Sequence, residues 1–402
     1  MPHQPTPQSA STNRASQCRT PLTDSARTRN KEWAARGLRR QLSTFSTAQL
    51  PHAVVDKREY LLFSSSDYLG LSTHPRLVEA ATEALRTYGV GSGGSRLTTG
   101  TSLHTAAEHA LAQFFGADDA VLFASGYQAN LSTIATIATA DVQIFSDATN
   151  HASIIDGCKQ AAAKVTVFPH RDYVELDRLL AQCPADNALV ISDGVFSMSG
   201  ALADVKELHR VCQKHGAWLM IDDAHGTGVI GKDGHGLCAA VGVTPDILVV
   251  TASKALGSEG GAVICSTEIA ELLRNQARSF VYSTSLNPGS VAAIIAALDV
   301  VRTQTELVST LQSNISYLRQ SLGIASASEN PTLNAPIIPL PIGDEERAMS
   351  VAAALRDEGI FVPAIRYPTV PRGQAMLRLT MTARHTTADI DRVVSVVQRA
   401  SS

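Results

Sequence analysis

Between residues 120 and 265 short apolar runs recur along the chain, separated by stretches with helical spacing. The runs are 120–124, 142–145, 164–168, 188–192, 217–221, 247–251 and 262–265. Most are β-branched and carry no polar alternation, which predicts strands buried on both faces. With helices between several of them, they predict an α/β fold whose seven-stranded sheet is mainly parallel and covered on both sides. In such sheets ligands bind off the carboxyl ends of the strands. Upstream, residues 30–42 read as a helix bearing Arg36, Arg39 and Arg40, 59–63 as an extended stretch, and 75–88 and 102–115 as helices. A long helix from 288 to 301 and beyond leaves this region. After it, 335–342, 360–366 and 376–381 read as antiparallel strands, with helices over 345–358 and 387–399 packed on them. The expected organisation is a disordered extension over 1–30, a helix and extended segment over 31–70, a large domain over 71–300 and a smaller C-terminal α+β domain over 301–402.

The composition narrows the function. A chain of 402 residues, 44% hydrophobic, can bury a large core. Its 34 basic residues are matched by 37 acidic ones, giving a net charge of −3. Nothing here suggests nucleic acid or a membrane surface, so an anionic substrate has to be met by a few placed arginines. The six cysteines are scattered without short paired spacings. They fit neither a zinc site nor a disulfide framework, which points to a reducing, cytoplasmic setting. No apolar run approaches the roughly 20 residues that span a bilayer. Residues 1–30 are rich in Ser, Thr, Pro, Gln and Arg, with Asp24 the one acid. That composition is shared with organellar transit peptides, but no amphipathic face can be traced, so a disordered extension is the favoured reading.

The chemistry starts at Lys254, one of eight lysines. It ends the run Asp246-Ile-Leu-Val-Val-Thr-Ala-Ser-Lys254 and enters a glycine-rich turn. An amine at the carboxyl end of a buried strand is placed to form a Schiff base with an aldehyde cofactor. Asp222 ends the strand over 217–221, where a carboxylate could keep a pyridine nitrogen protonated. Acids at strand ends also cap turns, and only the neighbouring Lys254 tips this one toward catalysis. His225 and His151 follow strands in the same way, the first within reach of a phenolic oxygen, the second able to lie against a ring. Ser125-Gly126-Tyr127-Gln-Ala-Asn130 opens a helix after a strand. Its free N–H groups suit a phosphate, although an ordinary strand-to-helix turn reads equally well. Two patterns fail on context. Gly89-Val-Gly-Ser-Gly-Gly94 has the dinucleotide spacing but follows a helix. Gly226-Thr-Gly-Val-Ile-Gly-Lys232 approaches a P-loop, but Asp233 replaces the hydroxyl that would hold magnesium.

From about residue 31 to the C-terminus the chain resembles the α-oxoamine synthases, pyridoxal-phosphate (PLP) enzymes of fold type I, the aspartate-aminotransferase fold. The resemblance rests on Asp67-Tyr-Leu-Gly-Leu71, Gly91-Ser-Gly-Gly-Ser-Arg96, Asn150-His-Ala-Ser153, Asp193-Gly-Val-Phe-Ser-Met-Ser-Gly200, Asp222-Asp-Ala-His-Gly-Thr-Gly228, Tyr282-Ser-Thr-Ser285 and Pro368-Thr-Val-Pro371. It implies pyridoxal 5'-phosphate bound by Lys254, Asp222 at its nitrogen, His151 on its ring, and His225 and Ser197 at its phenolic oxygen. It also implies cofactor contacts from Gly126, Tyr127 and Thr251, with Thr284 reaching the phosphate from a partner subunit of a homodimer. Arg378 is implied for the amino-acid carboxylate, and Arg39, His151 and Thr369 for further substrate contacts. Asp222-Asp-Ala-His-Gly-Thr-Gly228 resembles the branch serving biotin synthesis, which joins L-alanine to pimeloyl-CoA or pimeloyl-ACP with loss of CO2. Tyr367-Pro-Thr-Val-Pro-Arg372 also resembles the branch making 5-aminolevulinate, so glycine or serine with another acyl-CoA stays open, as does an aminotransferase on the same fold. Members usually carry Asn before Asp-Tyr-Leu-Gly, and Ser66 stands there instead.

Overall fold

A computed structural model describes residues 20–184, 187–325, 330 and 332–401. It divides into two units, one ending at Thr44 and the other beginning at Phe45. The N-terminal unit holds a helix over Leu22–Ala35 with no buried residue. This corrects the expected disorder over 22–30, and of the helix expected over 30–42 only 30–35 is helical. Asp24 sits in the first turn and pairs with Arg27 one turn on, and Ala, Arg, Lys and Glu residues supply helix propensity without an apolar stripe. The remainder of the expected extension, 1–19, lies outside the described residues.

The second unit opens with a hairpin, β1 (His52–Val55) and β2 (Arg58–Leu62), turned by Asp56 and Lys57 at φ of 50° and 68°. Seven strands then form the main sheet: β3 (Asp119–Phe123), β4 (Val142–Asp147), β5 (Lys164–Phe168), β6 (Asn187–Asp193), β7 (Trp218–Asp222), β8 (Ile247–Thr251) and β9 (Gly261–Cys265). Their order is β3-β9-β8-β7-β6-β4-β5. All neighbours are parallel except β9, which runs against both β3 and β8. The apolar runs have a simple cause. Leu122, Phe145, Val190, Ile221 and Val250 face one hydrophobic layer, while Val121, Ile144, Leu189, Met220 and Val249 face the other. Successive side chains of a strand point to opposite faces, so a sheet covered twice has no polar position to spare.

The helices begin and end where local chemistry directs. Pro75 starts Pro75–Tyr88 beneath a His74 cap, and Gly89 at φ 83° ends it. Thr101 and His104 form a reciprocal cap on Ser102–Phe115. A long helix, Pro288–Thr303, is followed by Glu306–Ser321. The C-terminal third carries β10 (Ile337–Gly343), β11 (Ile360–Phe361), β12 (Ala364–Ile365) and β13 (Ala375–Thr380) with helices Glu345–Asp357 and Thr387–Ser401. β10, β13 and β12 form an antiparallel sheet. The stretch expected as one strand over 360–366 is instead two. β11 leaves that sheet and pairs in parallel with β2, Ile360 opposite Leu61 and Phe361 opposite Leu62. Among the described residues no helix is long and apolar enough to cross a membrane.

Candidate active site

Parallel strands end together, and their last residues gather at one edge of the sheet. Asp193 ends β6, Asp222 ends β7 and Thr251 ends β8. With the helix start at Gly126 and the loops after each strand they line a cleft of about 240 Å3. Gly126, Tyr127, Asn130, His151, Ser153, Ser197, His225, Ser253 and Lys254 complete its wall.

Lys254 stands three residues beyond β8, in a turn closed by Gly257 N donating to the Lys254 carbonyl at 2.9 Å. Gly257 has φ +61°, and a Cβ there would lie 2.4 Å from Ser72 N. Only glycine lets the lysine turn pack this tightly on the 67–72 turn. Burial lowers the Lys254 amine to about 8, against the raising influence of Asp222 and with a further lowering from Arg378. A substantial neutral fraction is therefore present near neutral pH, which is what a nucleophilic amine requires.

Asp222 is buried and accepts from Asn130 Nδ2 at 2.5 Å and from Ala224 N at 2.9 Å. Asn130 Nδ2 also donates to Ser153 Oγ at 2.9 Å. His151 caps the helix Ala152–Gln160 through Nδ1, which lies 2.8 Å from Ser153 Oγ, and its main-chain N–H donates to Asp193 Oδ2 at 3.1 Å. Its ring stays accessible to the cleft, edge-on to Tyr127 at 6.4 Å. Burial holds His151 below the usual histidine range, with Asp222 opposing. His225 is buried, its Nδ1 2.7 Å from Tyr68 Oη. Burial, then the nearby Lys254 and Arg378, push it well below that range, so its ring is neutral. Asp223 beside it is raised to about 8, mainly by burial. Gly226 and Gly236 make room for its carboxyl: a Cβ at either would come within 2.0 Å of its oxygens.

Arg378 comes from β13, is buried, and donates from Nε to the Ser197 carbonyl at 2.7 Å. It thereby joins the C-terminal sheet to the loop after β6. The remaining expected residues fall elsewhere. Thr284 lies beside Arg96, His104 and Ser285 in a separate small pocket. Thr369 is exposed in the 366–371 turn, and Arg39 is exposed within the N-terminal unit, which is described by itself. Three residues that the sequence did not single out are prominent. Asn130 could have been found from its spacing, four residues after Gly126 and so on the same helix face. Asp193 ends a buried strand as Asp222 does, and the same rule would have flagged it. Tyr68 gives no comparable signal, because only the tertiary fold brings it to His225.

The cleft fits pyridoxal phosphate. A buried amine of lowered basicity suits an aldehyde, and the buried Asp222 suits a pyridinium nitrogen. The helix N-terminus at Gly126 is packed so closely that a Cβ on Gly261 would lie 2.3 Å from Gly126 N. Its N–H groups suit a phosphate. Fold and cleft together define a pyridoxal-phosphate enzyme of the aminotransferase type. Comparison agrees. The family described as aminotransferase class I and II matches residues 58–397. The biotin biosynthesis bifunctional protein BioWF of Corynebacterium kroppenstedtii is 46% identical over 94% of this chain but 58% of its own, so the chain spans little more than half of that relative. The 8-amino-7-oxononanoate synthase of Lysinibacillus sphaericus is 43% identical over 90% of this chain and 94% of its own. Serine palmitoyltransferase from S. paucimobilis, solved with PLP and myriocin, superposes with a TM-score of 0.87 at 32% identity, covering 95% and 98% of the two chains. The chain belongs to the α-oxoamine synthases within the class I and II aminotransferase family. Pyridoxal 5'-phosphate is its cofactor.

Proposed function

We propose that the protein condenses L-alanine with a pimeloyl thioester, carried by CoA or ACP, to give 8-amino-7-oxononanoate, CO2 and free thiol, a step of biotin synthesis. The observation that carries this reading is the 43% identity to an 8-amino-7-oxononanoate synthase over nearly the full length of both chains. When bound, the cofactor supplies an electron sink for a carbanion on the amino-acid α-carbon. The chain's own residues do the rest. Lys254 Nζ would hold the cofactor through its aldehyde and, as a free amine, would take the α-proton. Asp222, held by Asn130, would keep the ring nitrogen protonated. Gly126, Tyr127 and Thr251 would hold the cofactor, and Thr284 would reach its phosphate from the second subunit of a homodimer. His151 would cover the ring, while His225 and Ser197 would serve its phenolic oxygen. Arg378 would meet the alanine carboxylate, and Arg39 and Thr369 are proposed as further substrate contacts. The protein is expected to work in the cytoplasm.

One observation favours a second reading: the superposition on serine palmitoyltransferase favours L-serine with a long acyl thioester. The experiment presents L-alanine, glycine and L-serine in turn to pimeloyl-CoA, pimeloyl-ACP, acetyl-CoA, succinyl-CoA and palmitoyl-CoA, and reads products by mass. Only alanine with a pimeloyl donor should give 8-amino-7-oxononanoate at a high rate. A preference for serine with palmitoyl-CoA would replace the proposal. Conversion of a keto acid with no acyl donor and no CO2 would mark an aminotransferase.

A further inference from the structure

β6 and β7 end side by side on two carboxyl groups, and only one has its full set of partners. Asp193 and Asp222 are register partners across the parallel pair, and both line the cleft. Asp193 is 3% exposed and Asp222 7%. Asp222 has donors on both oxygens, Asn130 on Oδ2 and Ala224 on Oδ1. Asp193 Oδ2 accepts one main-chain bond, from His151. Its Oδ1 is buried without a partner. An ionised oxygen left bare in the interior is costly, and a second carboxylate beside the first makes it more so.

We propose that Asp193 is a positioning residue held in its neutral, protonated form, fixing His151 through Oδ2 beside Asp222. The charged groups around it are Asp222 at the end of β7, Asp147 at the end of β4, Lys254 beyond β8, and His151 at the start of its helix. The two acids oppose a charge on Asp193 and Lys254 favours one. Burial and then the repulsion of Asp222 raise Asp193 well above the carboxylate range. Asn150 completes the grip. Its Oδ1 accepts from Asp193 N at 2.8 Å, and its Nδ2 donates to Ile191 O and Ser146 Oγ, both at 2.9 Å. The loop bearing His151 is thus fastened to the end of β6 without adding a negative charge to the cleft. What His151 does toward the bound cofactor rests on the function proposed above; the protonation of Asp193 does not.

The test uses the full chain with Asp193→Asn and Asp193→Ala. Asparagine is neutral and still offers His151 an acceptor, whereas alanine removes the acceptor. The cofactor Kd of the Asn variant should stay within about threefold of the native value, and that of the Ala variant should rise about tenfold or more. In the cofactor-free protein the pKa of Lys254, read from the pH dependence of its acylation, should not move in the Asn variant. The native protein at neutral pH should show an infrared carbonyl band of a protonated carboxyl that is absent from the Asn variant. A fall of Lys254 by about one unit, or no such lost band, would mean Asp193 is ionised and would overturn the proposal. Equal cofactor affinity of the Asn and Ala variants would overturn the link to His151. If the native chain bound no pyridoxal phosphate, the proposed function would fail while the infrared band still decided the charge of Asp193.

Discussion

Asn130 Nδ2 sits 2.5 Å from Asp222 Oδ2, joining the helix that begins at Gly126 to the carboxylate that ends β7. The proposed phosphate cradle and the proposed partner of the ring nitrogen are therefore tied by a direct hydrogen bond. Hydrogen bonds to a buried charged group are worth roughly 1.5–3 kcal/mol. Asn130→Ala should lower kcat about tenfold to a hundredfold and reduce the thermal midpoint. Asn130→Asp should weaken cofactor binding further, because it sets a second carboxylate against Asp222. Absorbance titration with pyridoxal phosphate, alongside thermal unfolding, checks both.

Asp222→Ala should retain part of its cofactor affinity, since Lys254 and the cradle remain. Turnover should fall by at least about 10²–10³ as the charge opposite the ring nitrogen is lost. Single-turnover kinetics with alanine and a pimeloyl thioester measures the loss. Near-native turnover would remove Asp222 from its assigned role.

The amine of Lys254 gives a pH dependence of known sign. Burial depresses it to about 8 from the ordinary 10.5. Protonation blocks attack on an aldehyde, so cofactor attachment to the cofactor-free protein should speed up as pH rises through about 8 and then level off. The unfolded chain binds the extra proton between about 8 and 10.5, so this group adds stability as pH rises across that window and costs stability below it. Stopped-flow absorbance and denaturant titrations at several pH values test the two halves. After borohydride reduction the native enzyme should yield a modified peptide containing Lys254, and Lys254→Ala should yield none.

A methyl group at Gly261 would lie 2.3 Å from Gly126 N and 2.4 Å from Gly126 Cα, backbone that cannot swing aside. Gly261→Ala should therefore displace the helix start. We expect a stability loss of about 1–3 kcal/mol and a cofactor Kd raised by about tenfold. Equilibrium dialysis and thermal unfolding report these separately.

The main sheet was legible because burial on both faces leaves one kind of pattern. Runs expected at 164–168 and 247–251 are the strands Lys164–Phe168 and Ile247–Thr251. The reversed direction of β9 was not legible, since an apolar run of five residues carries no sign of direction. The split of 360–366 escaped because β11 answers to β2, roughly 300 residues earlier, rather than to its neighbours in sequence. Within the cleft, residues at strand ends could be named one at a time. Their mutual arrangement could not: Tyr68 against His225, and Arg378 against the Ser197 carbonyl, are contacts made by folding between distant segments. The part of the helix Leu22–Ala35 before residue 30 was missed because it shows no apolar stripe, the signal on which helix recognition mainly depends.

The pairing of β11 with β2 is reinforced by Phe63 N to Phe361 O at 3.0 Å, Thr380 N to Phe63 O at 2.9 Å and His385 Nε2 to Leu62 O at 2.7 Å. The tail of the polypeptide is thus buttoned to a ribbon made near its head. That seam cannot close in full until His385 has been made. A fragment lacking residues 52–63 would expose the unpaired edge of β11, and one stopping short of β11 would leave β2 bare on the same side. Either piece should aggregate when made alone and recover when the two are mixed, because each lacks the edge that the other supplies.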